Sequence, residues 1–420
     1  MIQALKGTKD VLPQDSYKWQ YIEWHMREIC ERYGLREGRT PVFEHTELFL
    51  RGVGDTTDIV QKEMYTFDDK GGNSITLKPE GTAGIVRMFI ENGLYNGPQP
   101  TKMYYVYCPV FRYENTQTGR LREHHQFGVE IFGAQRASAD AECIMLALEL
   151  FEKVGVRDLA LRINSIGCPA CRPNYHATLR AYLKDQYNSL CDMCKTRFEK
   201  NPLRVLDCKE SHCRDIVKNA PVILDYLCGG CGAHMDELKR CLDMMRVKYD
   251  IDPFIVRGLD YYTKTVFEII STHIGAQGTV CGGGRYDGLI ETVGGPGMPG
   301  VGFGLGMERL LLTAQNQGVR IPEPPAFDLF VASVGEEAHV RAFWLAMQLR
   351  EAGYRVECDH TERSVKAQMK YANKLRALHV AVIGEDELRA GVVNVKTMET
   401  GEEKETSLNA PAMAAAIKRG

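Results

Sequence analysis

The sequence predicts an α+β protein that carries a helical insertion and ends in a small α/β domain. Three observations lead there. Residues 103–133 set two β-rich runs, MYYVYCPVFRYE and QFGVEIFG, on either side of a polar turn, NTQTGRLREHH; this is a long-looped hairpin. From residue 167 to 244 the text becomes helical, charged and rich in cysteine. Past the Pro-rich stretch IPEPPA at 321–326, the runs FDLFVASV, YRVECD and HVAVIG alternate with helical stretches around 336–352 and 363–376. That β-α-β-α-β order argues for a largely parallel sheet.

Length agrees with several domains, because 420 residues exceed what one core of about 250–300 residues supports. The predicted division is a discontinuous catalytic domain over 1–166 and 245–322, a Cys-rich helical insertion over 167–244, and a C-terminal domain over 327–420. The first element, YKWQYIEWHMREICERY at 17–33, spaces its apolar residues as a helix does and stops at Gly34. REGRTPVFEHTELFL follows as an extended piece containing Pro41. After the hairpin come a helix over 139–154 and the strand LALRINSIG. Strand-like text resumes at FIVRGLDYYTKTVFEII, and a Gly-rich stretch leading into MERLLL closes the core. With 44% hydrophobic and 25% charged residues and a net charge of −3, the chain has globular composition and no overall basic bias. No apolar run approaches the ~20 residues of a membrane span. The N-terminal MIQALKGTKDVLPQD has no apolar signal core. The expected location is therefore cytoplasmic, away from membranes.

Five regions carry chemistry. Arg112 ends the first hairpin strand in FRYE, and GRLREHHQ at 119–126 adds Arg120, His124, His125 and Gln126. A guanidinium held on a strand can fork onto a phosphate or a carboxylate; the plainer reading pairs Arg112 with Glu114. GFGLGMERLLL places glycines at 302, 304 and 306 before a helix with Arg309 in its first turn. Backbone without Cβ atoms lets a ligand lie close, and a helix start favours anions; the plainer reading is a strand packed tightly on a helix. RGLDYY at 257–262 and CGGGRYDGL at 281–289 group Arg257, Tyr261 and Tyr262 with a glycine run that suggests a bulge or a ligand contact. LKPEGTAG at 77–84 offers Glu80 and Thr82 for an ammonium group, or Thr82 as a helix cap.

Taken together these strings resemble the class II aminoacyl-tRNA synthetases. FRYE with its loop is similar to their motif 2, GVGFGLGMERLLL to motif 3, and the Pro41 segment to motif 1. RGLDYY, GGGRYDGL, KGTKDVLP and KPEGT resemble signatures of histidyl-tRNA synthetases, and the likeness runs from residue 6 to the end. It implies an antiparallel sheet flanked by helices and a C-terminal anticodon-binding domain. It also implies a histidine–tRNA ligase, which joins L-histidine to ATP with release of pyrophosphate and passes it to the 3′ end of tRNA(His). By the same likeness Arg112 bridges the α-phosphate and the attacking carboxylate, Arg257 stabilises charge at the α-phosphate, and Arg309 holds the γ-phosphate. Arg120, Glu114, His124 and Gly304 complete the ATP site, with Mg²⁺ on the outer phosphates. Glu130, Tyr261 and Tyr262 surround the imidazole, and Glu80, Thr82 and Gln126 grip the amino group and its neighbours. His124 stands where the family carries an aromatic ring, and Lys78 where Arg is more usual. Motif 1 implies a homodimer. The alternative within the same fold is a non-catalytic paralogue, the regulatory subunit of ATP phosphoribosyltransferase. That paralogue typically lacks the C-terminal domain and part of the arginine set, all of which this chain keeps.

Lys366, Lys370 and Lys374 recur at i, i+4 spacing in the C-terminal domain. A solvated helix face and a tRNA-phosphate surface both fit that stripe; the family likeness favours the second. Of the 14 cysteines, Cys168, Cys171, Cys191 and Cys194 form two C-x2-C pairs 19 residues apart, a spacing compatible with a four-thiolate zinc site. Cys228 and Cys231 make a third pair, with Cys208 and Cys213 between. Structural zinc and unligated thiols both remain open from the sequence.

Overall fold

A computed structural model describes residues 1–55, 57–117, 119–208, 210–274 and 278–417. The chain divides into two compact units, Met1–Ile321 and Pro322–Gly420.

The first unit opens with the helix Pro13–Arg32, whose proline sits at the helix start, where no hydrogen bond is lost. It buries Ile22, Met26, Ile29 and Cys30 on one face. Strands β1 (Arg36–Glu37) and β2 (Phe43–His45) follow. TELFL, expected to be extended, instead opens the helix Thr46–Val53, which buries Leu48, Phe49 and Val53. Strands β3 (Tyr65–Asp68) and β4 (Ser74–Leu77) join β2 in a small antiparallel sheet, and the helix Thr82–Glu91 comes next. The remaining strands are β5 (Thr101–Phe111), β6 (Glu123–Phe132), β7 (Leu159–Ser165), β8 (Asp250–Ile251), β9 (Thr263–Ser271), β10 (Thr279–Arg285) and β11 (Gly300–Gly306). With β1 they form an eight-stranded sheet in the order β1-β5-β6-β11-β10-β9-β7-β8. Its five inner pairings are antiparallel and only the two edge pairings are parallel.

Period-2 alternation gives this sheet two different faces. Phe127, Val129, Ile131, Phe267, Ile269, Val301, Phe303 and Leu305 enter one core with the helices Pro13–Arg32, Ala137–Val154 and Met307–Asn316. Their neighbours Gln126, Gly128, Glu130, Glu268, Gly302 and Gly304 therefore point to the opposite face. There Gly282 pairs with Gly304, and Gly302 pairs with Gly284 on one side and Glu130 on the other. The middle of that face is nearly bare backbone, a floor on which side chains and a ligand can lie.

Between β7 and β8 run the helices Arg172–Asp185, Asp192–Lys200 and Ser211–Val217, around a separate core that includes Tyr175, Leu179, Leu183, Val205 and Val217. The next helix, Gly229–Met244, sends Met235, Leu238 and Leu242 into the core of the large sheet.

The second unit holds β12 (Leu329–Ser333), β13 (Val356–Cys358), β14 (His379–Ile383), β15 (Val392–Thr397) and β16 (Glu403–Ser407), in the order β13-β12-β14-β15-β16. The three strands read from the sequence are parallel, joined through the helices Glu336–Glu351 and Val365–Lys374. Two antiparallel strands extend the sheet beyond them.

Candidate active site

Three arginines from distant parts of the first unit line one cavity of about 970 Å³ above the glycine floor. Strand β5 ends at Phe111, so Arg112 stands one residue past the strand rather than on it. Its Nε donates to the Pro79 carbonyl at 2.7 Å, and its side chain is 3.9 Å from Glu114. The close ion pair of Glu114 is with Arg120, so the simple Arg112–Glu114 pair is not what anchors this arginine. Arg257 pairs with Glu268, which also accepts from the Thr279 hydroxyl at 3.1 Å. Arg309, in the first turn of Met307–Asn316, donates to the Thr279 carbonyl at 2.6 Å and the Gly119 carbonyl at 3.3 Å. Each guanidinium is thus fixed by carbonyls or a carboxylate. A Cβ on Gly282 would land on the Arg257 guanidinium, which is the physical reason for a glycine there.

His124, Gln126, Glu114, Arg120 and Gly304 line the same cavity. Burial, then the charges of Arg112 and Arg309, push the His124 imidazole down to about 3. It is a neutral ring among cations. Its neighbour His125 faces elsewhere, bonded to Glu308 at 2.8 Å and stacked on Tyr107 at 4.1 Å between centroids.

A second, buried group of residues adjoins the first. The Thr82 hydroxyl donates to Glu130 at 2.7 Å, and the Tyr286 hydroxyl also donates to Glu130. Thr82 is therefore not the helix cap. That part is taken by Glu80, which accepts from the Thr82 and Ala83 amides at 2.8 and 2.6 Å. Gln126 accepts from the Gly81 amide at 3.2 Å. The rings of Tyr261 and Tyr262 lie 4.7 Å apart, and Tyr286 is 5.5 Å from Tyr261. Burial pushes the Glu130 carboxyl up to about 8, against the pull of the Tyr286 and Thr82 hydroxyls. This cluster gathers one buried carboxyl with the hydroxyls of Thr82 and Tyr286 and the rings of Tyr261 and Tyr262.

Two members escaped single-residue reading. Tyr286 lies inside the RYDGL string without standing out in it. Tyr105 lies in an ordinary-looking strand, and its ring crosses the places where Gly81 and Gly128 would carry Cβ atoms. The facing glycines were the available signal. Lys78 is buried and donates to the Thr40 hydroxyl at 3.2 Å.

With this geometry in place, the relatives become informative. The family model for histidyl-tRNA synthetase matches residues 7–310, and that for an anticodon binding domain matches 328–413. A histidine–tRNA ligase of Caldanaerobacter subterraneus subsp. tengcongensis is 64% identical over 405 residues, 96% of this chain and 97% of that one. One from a Thermoanaerobacter species is 63% identical over 409 residues, 97% of this chain and 98% of the relative. The chain belongs to the histidyl-tRNA synthetase family. Among solved structures, the apo histidyl-tRNA synthetase of S. aureus superposes with a TM-score of 0.83 at 39% identity, covering 99% of both chains. The activity is that of a histidine–tRNA ligase, an ATP-dependent aminoacyl-tRNA ligase, and not that of the regulatory-subunit paralogue. In this chain the arginine-lined cavity lies over the large sheet, and the C-terminal unit matches the anticodon-binding domain.

Two further sequence readings meet the structure here. Lys366, Lys370 and Lys374 are all exposed on Val365–Lys374, whose other side buries Gln368 and Ala372. The cysteine quartet needs correction. Cys168 and Cys171 do not join Cys191 and Cys194. Cys168, Cys171, Cys228 and Cys231 form one cluster, and Cys191, Cys194, Cys208 and Cys213 form another. Spacing along the chain predicts which thiols are paired locally; the fold of the insertion decides which pairs meet. Among the described residues no helix is long and apolar enough to cross a membrane.

Proposed function

We propose that the three cavity arginines act together on one nucleotide triphosphate while the adjoining pocket presents histidine to it. The reaction brings two anions together, a carboxylate and an α-phosphate, so cations must neutralise both and hold them in line. Arg112 bridges the two reacting groups. Arg257 stabilises the charge that grows at the α-phosphate, and Arg309 holds the γ-phosphate. Arg120 and Glu114 orient the phosphates, Gly304 lets the nucleotide lie on the floor, and neutral His124 stacks on the adenine. A bound Mg²⁺ would be held by Glu114 and Glu268, carboxylates of the cavity, and would supply further charge neutralisation. Glu130 and Tyr262 flank the imidazole, with Tyr261 beside them; Glu80, Thr82 and Gln126 serve the amino group and its surroundings. The observation that supports this reading is the convergence of Arg112, Arg257 and Arg309 on one glycine-floored cavity.

The wider reading follows the same lines. The chain works in the cytoplasm as a homodimer of three-part subunits: residues 1–166 with 245–322, the insertion 167–244, and 327–420. Exposed Val42, Phe43 and Phe67 on and beside the small sheet favour the dimer, because such a patch is costly to leave in water. Lys366, Lys370 and Lys374 meet tRNA(His) phosphates. The insertion's cysteines hold structural zinc. The deciding experiment is histidine-dependent ATP–pyrophosphate exchange by the pure protein, followed by charging of tRNA(His). Exchange with histidine and with no other amino acid is expected; absence of exchange would overturn the reading.

A further inference from the structure

The catalytic reading does not use the eight cysteines between Cys168 and Cys231, although they are arranged as two closed quartets. In each, four sulfur atoms lie within 4.8 Å of one another. Cys168 is 3.6 Å from Cys171 and 3.9 Å from Cys228, and Cys191 is 3.9 Å from Cys208. These separations are far too long for disulfide bonds. They match a tetrahedron of sulfurs about 2.3 Å from a central zinc, whose edges are about 3.8 Å. Backbone amides already point at the sulfurs: Cys228 to Cys171 at 3.1 Å, Cys191 to Cys213 at 3.3 Å, and Cys194 to Cys191 at 3.4 Å. Donors of this kind stabilise metal-bound thiolates and fix their direction.

From this we infer two separate tetrathiolate zinc sites with different tasks: one closes the neck of the insertion and the other shapes the wall of the nucleotide cavity. The inference rests on the reading that the insertion holds structural zinc, and adds number, membership and role. The neck site joins the segment just after β7 to the start of Gly229–Met244, so it ties the insertion's entry to its exit. Arg172, next to Cys171, donates to the Tyr262 carbonyl. The wall site gathers the segment in which Cys208, Arg214 and Lys218 line the cavity. The same segment reaches the active-site loop through Arg204, which donates to the Gly258 carbonyl at 2.8 Å and to Asp260 at 3.0 Å. Each site takes one Zn²⁺ and gives its four thiol protons to solvent.

Elemental analysis of the full chain purified without chelator is the test, with zinc measured per chain. Two zinc ions are expected. One would overturn the two-site inference and leave structural zinc standing; none would overturn both; iron in place of zinc would overturn the metal assignment. Cys228→Ser/Cys231→Ser and Cys191→Ser/Cys194→Ser are each expected to keep one zinc, and loss of both from either folded variant would contradict independence. Only the second variant is expected to raise the KM for ATP, by roughly tenfold, although neither substituted residue lines the cavity. An unchanged KM would overturn the wall role. If a variant does not fold, titration of the native chain with excess p-hydroxymercuribenzoate still decides: two zinc ions per chain should be released, and release of one refutes the count.

Discussion

Glu130→Gln should strengthen the fold at alkaline pH while weakening the enzyme. Burial raises the Glu130 carboxyl from its ordinary 4.5 to about 8. Each step in pKa corresponds to 1.36 kcal/mol, so holding Glu130 ionised in place costs on the order of 5 kcal/mol. At low pH both the folded and unfolded chains carry this proton, and the residue is neutral to stability. Between 4.5 and about 8 the unfolded chain releases the proton and the folded chain keeps it, so stability falls as pH rises. Above that window the loss is complete. Glutamine has no proton to release. Urea unfolding of the ligand-free chain should therefore show the variant gaining several kcal/mol on wild type between about pH 5 and about pH 9. Over the same comparison kcat/KM for histidine should fall by up to about tenfold, because a neutral hydrogen bond contributes roughly 0.5–1.5 kcal/mol. Parallel stability curves for the two proteins would refute the reasoning.

Three other outcomes follow from the same geometry. Gly282→Ala pushes on the flexible end of Arg257, so pyrophosphate exchange should slow by about 10-fold to 100-fold with little change in thermal midpoint; Gly302→Ala meets Glu130 and the Val129 carbonyl and should lose stability as well, by about 1–3 kcal/mol. His124→Phe keeps a neutral ring in place, and the KM for ATP should stay level or fall, whereas His124→Ala should raise it about tenfold if stacking contributes about 1–1.5 kcal/mol. Phe43→Asp puts a charge on an exposed apolar residue of the small sheet; sedimentation is expected to show wild type as a dimer and the variant as a monomer.

The grouping was legible where short strings are distinctive: those holding Arg112, Arg257 and Arg309 converge on one cavity as expected, whereas Arg285, after the glycine run, is taken up by a buried pair with Asp140. The hairpin also read correctly, because its aromatic and β-branched runs form β5 and β6. What failed depended on contacts between distant segments. TELFLRGV folds as a helix because Leu48, Phe49 and Val53 have a surface to pack against, which its eight residues do not announce. The sequence left Thr82 between a ligand for an ammonium group and a helix cap, and the cap alternative falls because Glu80 takes the amides and the Thr82 hydroxyl goes to Glu130. The cysteine spacing suggested a quartet, and only the path of the insertion sorts the thiols into two.

The most direct test of the account is single-turnover formation of histidyl-adenylate by wild type and by Arg112→Ala, Arg257→Ala and Arg309→Ala. Each loss should slow the step by about 10²–10³, roughly 3–4 kcal/mol, in a chain whose thermal midpoint is nearly unchanged. A variant that forms adenylate at the wild-type rate would contradict the shared-cavity account.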